Sequence, residues 1–186
     1  MDNSLGFKEE MRYNYDLNKD SLVFDVGGYQ GRFASNIVEK YGCKVYVFEP
    51  VYHILSDDNI KVYHFGLSDS TRTEIINVRN DATSLYSIEN PQYCYPVKLV
   101  SLHEFVKENK ISKVDLIKIN IEGEEYPLLR HMIFNDIVSI FKNIQVQYHD
   151  FIPNCRCMRE TISDKLSETH IREWCYPFIW ESWRKK

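Results

Sequence analysis

The sequence predicts an α/β protein, one domain over residues 1–186. A mostly parallel central sheet carries helices on both faces and ends in a C-terminal antiparallel hairpin. Three observations predict it. Short apolar runs at 22–26, 44–48 and 60–65 each stop at a glycine or at Glu49-Pro50, as buried parallel strands do. Between the first two, Phe33, Ala34, Ile37, Val38 and Tyr41 recur on one helical face, and strand–helix–strand with short connections implies right-handed crossovers. Residues 171–183 are rich in aromatics around Tyr176-Pro177, which reads as a terminal hairpin.

In chain order, residues 1–20 are polar with interleaved Phe7, Met11, Tyr13 and Tyr15 and are read as an amphipathic helical flank or lid. A strand at 22–26 leads through two glycines into the helix from Arg32, which Gly42 caps. Strands follow at 44–48 and at 60–65, the latter stopped by Gly66. The stretch 71–95 is less regular, with an extra strand over 73–78 and a polar loop over 80–84. A short helix is expected at 102–107, a strand at 114–121, a helix at 126–141 bent near Asn135, and a strand at 143–151. The tail from Arg156 to Thr169 is helical, so 152–186 form a C-terminal helix and hairpin.

Composition removes several classes. Apolar residues are 44% and charged residues 27%, the balance of a folded domain rather than a disordered one. A net charge of -4 argues against a dedicated nucleic-acid binder. No run of 18 apolar residues predicts a membrane span, and Met1 to Gly6 do not resemble a secretory signal. Five irregularly spaced cysteines are no disulfide framework, so a reducing cytoplasmic compartment is expected. Oligomeric state is not legible.

Asp25-Val26-Gly27-Gly28-Tyr29-Gln30-Gly31 joins the first strand to the first helix. There the backbone turns sharply beside a ligand, which glycine permits, and the helix start aims unpaired N–H groups at it. Eighteen residues after Gly31, Glu49 ends the second strand, where an acid can accept from both hydroxyls of a ribose. A dinucleotide G-x-G-x-x-G would need glycine at Val26. Asp25, Gly27 and Gly31 instead fit D-x-G-x-x-x-G, which resembles the loop of S-adenosylmethionine (SAM) enzymes of Rossmann-like fold; residues 21–151 are then the SAM-binding core.

The run from Val114 to Gly123 carries a second signal. Alternation puts Leu116, Lys118, Asn120 and Glu122 on one face, although a central parallel strand should be apolar on both. The next strand offers Gln145, Gln147 and His149 in the same alternation; if the two strands are neighbours, these side chains form one network ending at the carboxyl edge near Glu122 and His149. A plain Lys118–Glu122 ion pair is the simpler alternative. His149, Cys155 and Cys157 lack zinc spacing, so no metal site is expected.

Four motifs in order resemble the FkbM-type SAM-dependent methyltransferases over roughly residues 20–150. They are the glycine loop, Val47-Phe48-Glu49-Pro50, Gly66-Leu67-Ser68-Asp69, and Asp115-Leu116-Ile117-Lys118-Ile119-Asn120-Ile121-Glu122-Gly123-Glu124-Glu125. The resemblance implies a class I methyltransferase fold, SAM as cofactor, and O-methylation of a hydroxyl on a small-molecule or glycan acceptor, a sugar or secondary metabolite. Gly27, Gly28 and Gly31, with Asp25, Tyr29 and Gln30 in the same loop, are expected at the methionine end. Glu49 and Pro50 are expected at the ribose, and Leu67, Ser68 and Asp69 at the adenine. Asn120 stands where the family usually carries Asp, and Gly28 where alanine is more usual. For catalysis His149 is the first candidate base, oriented by Asp150 or Glu122, with Lys118 also in the catalytic set. A nicotinamide-dependent oxidoreductase and a catalytically silent SAM-binding module are the competing readings. For Trp174, Tyr176, Phe178, Trp180 and Trp183, pairing within the hairpin is favoured over stacking on a sugar.

Overall fold

The computed structural model describes residues 6–78, 84–86 and 93–186. The first five residues of the N-terminal flank and residues 80–83 of the expected polar loop lie outside the described residues. Strands β1 (Leu22–Val26), β2 (Lys44–Phe48) and β3 (Ile60–Tyr63) form half of a parallel sheet, with helix α1 (Arg32–Tyr41) crossing between the first two. Gly42 ends α1 at φ +65°, donating its N–H to Val38 O, as its sequence position predicts.

The chain then leaves the main sheet. β4 (Gly66–Ser68), β5 (Arg72–Val78) and β6 (Tyr93–Ser101) make a separate sheet in the order β4-β6-β5. Gly66 therefore starts a strand rather than stopping one: β3 ends at Tyr63, and Gly66 passes so close to Leu99 that a Cβ would sit 2.8 Å from its Cδ2. Hydrophobic pattern does not mark β6, because Pro96 interrupts it. That proline lies where β6 pairs with β5 alone, the β4 ladder beginning only at Leu99, and a strand with one open side tolerates proline.

α2 (Leu102–Glu108) returns the chain to the main sheet at β7 (Leu116–Ile119), followed by α3 (Glu125–Phe134), β8 (Asn143–Val146), α4 (Cys155–Thr169), β9 (His170–Tyr176) and β10 (Trp180–Lys185). The strand order is β3-β2-β1-β7-β8-β10-β9, parallel from β3 to β8, with β10 antiparallel to both β8 and β9. β7 and β8 are shorter than predicted. Lys118 and Gln145 stay within the strands, while 120–122 and 147–151, with Asn120, Glu122, Gln147 and His149, are loop at the carboxyl edge. The expected bend near Asn135 is the end of α3, after which Asp136 is left-handed and Ile137–Ile140 form a 3₁₀ turn.

One face of the sheet is covered by α2, α3 and α4 over a core that includes Phe24, Phe48, Leu102, Ile117, Ile119, Leu128 and Ile144. The other is covered by α1 and by the N-terminal segment. Among its described residues that segment holds one 3₁₀ turn, Glu9–Tyr13, in place of the expected helix. It lies along the sheet as a flank: Tyr13 stacks on Phe33, and the Tyr15 hydroxyl donates to Gln145 Oε1 at 2.8 Å. Phe7 packs on Trp174 and Tyr176, and the Arg12 guanidinium lies 4.0 Å over the Trp180 ring. These contacts occupy much of the aromatic tail. Among the described residues no helix is long and apolar enough to cross a membrane, and all five cysteines are free.

Candidate active site

β1 is the point at which the strand order reverses, with β2 on one side and β7 on the other. In an open parallel sheet the loops leaving two such strands diverge and open a crevice at their carboxyl ends. A cleft of about 900 Å³, part of it open to solvent, lies there. Its wall is built from the three expected loops, with Gly27, Glu49 and Asn120 to Glu122 among the lining residues, and from Leu67, Ile76 and Leu99 of the small sheet. The β4-β6-β5 sheet thus supplies an apolar side of which only Gly66 and Leu67 stood in a motif.

The glycine turn forms the floor. Gly27 has φ +83°, and a Cβ there would lie 1.9 Å from the Asn120 carbonyl oxygen, so the β1 and β7 loops touch backbone to backbone. A Cβ on Gly28 would meet Val47 at 2.2 Å. Beside the turn, Glu49 Oε2 accepts from Tyr29 N at 2.7 Å, and Oε1 accepts from Val51 N at 2.9 Å and Tyr52 N at 3.1 Å. Burial pushes the Glu49 carboxyl pKa up, against those three N–H groups and Lys118, which lower it. A carboxylate has about four acceptor positions, so after three backbone bonds Oε2 keeps one for a ligand hydroxyl. Asn120 Oδ1 is buried at the same wall without a partner. The backbone cradle, the spare carboxylate position and this unsatisfied carbonyl together fit a polar, nucleoside-shaped ligand.

The polar residues of β7 and β8 do not form one network. Lys118 faces Asp25 across the β1–β7 ladder and donates to Asp25 Oδ1 at 2.9 Å and to Gly27 O at 2.6 Å. No Lys118–Glu122 pair forms, because β7 ends at Ile119 and Glu122, at φ +50°, leaves the alternation. Gln145 turns to Tyr15, whose hydroxyl also meets Ser182 Oγ at 3.0 Å. His149 does reach Glu122, with Nε2 3.1 Å from Oε1, and its Nδ1 lies 3.0 Å from Glu125 Oε1. Asp150 is exposed, so the carboxylates that orient the imidazole are Glu122 and Glu125.

The methyltransferase FkbM domain matches residues 25–168. The chain belongs to the FkbM methyltransferase family. No curated protein matches it.

Of the residues expected to hold the donor in this methyltransferase, Gly27, Tyr29, Glu49, Pro50 and Leu67 line the cleft. Asp25 is buried behind it under Lys118, Gly28 packs on Val47, Gln30 is exposed, and Gly31 opens α1. Ser68 and Asp69 do not line the cleft: Ser68 Oγ donates to Glu124 Oε2 at 2.7 Å, and Arg72 holds Asp69 at 2.7 Å and Glu124 at 3.1 Å. Sequence reasoning missed Glu124, Ile76, Leu85 and Leu99. Only Glu124 stood inside a motif, and the other three are apolar side chains indistinguishable from core before the small sheet is folded. Among the described residues no group of three or more His, Cys, Asp or Glu side chains could hold a metal ion.

His149 is electrostatically unusual for this methyltransferase. Burial alone would pull its pKa down, but hydrogen bonds to Glu122 and Glu125 outweigh that and push it up to about 9. The raised value stabilises the fold fully below the unfolded pKa near 6.5, and the contribution is lost as pH rises through about 9. Between pH 6 and 10, wild type is expected to lose on the order of 3 kcal/mol relative to His149→Gln. Denaturant titrations of both proteins at each pH measure the difference.

Proposed function

We propose that this methyltransferase is SAM-dependent and O-methylates a hydroxyl of a sugar, glycan or secondary metabolite, with residues 1–186 acting as one catalytic domain. The observation that carries the reading is Glu49, a carboxylate at the tip of β2 with one acceptor position left, beside the Gly27 turn at the switch point. Glu49 would hold the ribose, the backbone around Gly27 and Asn120 the methionine end, and the apolar wall of Leu67, Ile76 and Leu99 the adenine. The free cysteines suit the reducing, cytoplasmic compartment that we also propose.

When bound, SAM supplies an electrophilic methyl group on a sulfonium. The chain's own task is to hold the acceptor oxygen in line and to take its proton as the new bond forms. The pKa of His149 means that at neutral pH both ring nitrogens donate, which leaves no lone pair for a base. Glu122 lines the cleft and His149 does not, so we assign proton acceptance to Glu122 and its orientation to the His149 imidazolium, held in turn by Glu125. This reverses the roles expected for the two residues from sequence.

Calorimetry with SAM, its demethylated product and NAD tests the donor. Tight binding of the first two and none of the third is expected; the opposite pattern sinks the reading in favour of an oxidoreductase. Glu49→Ala is expected to weaken product binding by about tenfold to a hundredfold, the worth of charged hydrogen bonds. Labelled-methyl transfer to a panel of sugars then separates an active enzyme from a silent binding module.

A further inference from the structure

Lys118 is a buried cation that does not line the cleft. Its side chain is only 4% exposed and lies over the Phe33 ring, below the cleft rather than in its wall. A desolvated ammonium must be paired, and Asp25 alone would suffice for that. Yet the shorter of its two bonds goes to the Gly27 carbonyl, 2.6 Å against 2.9 Å. That carbonyl belongs to the peptide between Gly27 and Gly28. A peptide flanked by glycine on both sides has no Cβ to resist rotation of its plane.

We infer that Lys118 is a positioning residue for the methyl-donor site, fixing the plane of the Gly27–Gly28 peptide before the donor arrives; this rests on the donor reading above. In a trans peptide the C=O and N–H point in opposite directions. Holding the Gly27 carbonyl on the lysine therefore turns the Gly28 N–H away from it, and the turn presents a donor where a rotated peptide would present an acceptor. Asp25 keeps the ammonium in place from the neighbouring strand, in direct register with Lys118.

A double substitution separates this role from simple charge balance. Lys118→Met alone leaves Asp25 buried and unpaired and is expected to lower the melting temperature. Asp25→Asn with Lys118→Met removes both charges and is expected to regain much of that loss. If Lys118 only balances Asp25, the double variant binds S-adenosylhomocysteine like wild type, and the inference is overturned. If it positions the turn, the stable double variant binds about tenfold or more weakly, the cost of lost preorganisation. A measurement on wild type alone covers the case in which the double variant does not fold. Exchange of the Gly28 amide should slow on saturation with S-adenosylhomocysteine, and an unchanged rate overturns the proposal. Failure of wild type to bind that ligand at all removes the donor reading and this inference together. Equal binding by wild type and double variant removes this inference alone.

Discussion

Gly27→Ala is expected to abolish donor binding and to destabilise the fold by about 2–5 kcal/mol, combining left-handed strain with overpacking. The added Cβ would lie 1.9 Å from the Asn120 carbonyl oxygen and 3.0 Å from Ile121 Cγ2. Both neighbours belong to the β7 loop, and the oxygen is backbone, so relief requires moving one central strand against the other. Gly42 provides the control. It also has positive φ, at +65°, but no atom lies within 4 Å of a Cβ there. Gly42→Ala should therefore cost only the conformational strain, about 1–2 kcal/mol, and leave binding intact. Thermal melts and product calorimetry on the two variants decide the matter; equal behaviour would show that close approach of the loops is not what Gly27 provides.

Turnover of Glu122→Gln should fall about a hundredfold or more, with the affinity for SAM close to wild type. The substitution keeps the shape of the side chain and removes its capacity to take a proton. His149→Ala should lower turnover by a similar factor, because a carboxylate without its imidazolium is free to rotate out of line. The double variant should be little worse than either single one, as for residues that act as a unit. The pH profile distinguishes the two assignments of the base. With Glu122 as acceptor and His149 as its cationic anchor, kcat/KM declines as pH passes about 9. A profile that instead rises toward pH 9 would return the base role to His149.

Local pattern carried most of the fold. The first crossover reads directly from the chain because α1 repeats Phe33, Ala34 and Ile37 on one face between two short apolar strands. The hairpin of β9 and β10 was equally legible. Of the small sheet only the strand over 73–78 was legible, since the middle strand holds Pro96. In the cleft wall, the positions of Gly27 and Glu49 were legible because a sharp turn at one strand end demands a small residue and Glu49 closes the neighbouring strand.

Sequence alone placed the motif-bearing loops at the carboxyl ends of parallel strands, because right-handed crossovers return successive strands to the same direction; which strands are neighbours came with folding. Only the tertiary structure decided which polar side chains meet. Lys118, Asn120 and Glu122 are equivalent by alternation, yet Lys118 pairs with Asp25 across a ladder, Asn120 faces the cleft, and Glu122 grips His149. The charge of His149 likewise depends on two carboxylates that reach it through folding, Glu122 and Glu125. A pKa is set by distance and burial, and neither exists until the strands have packed.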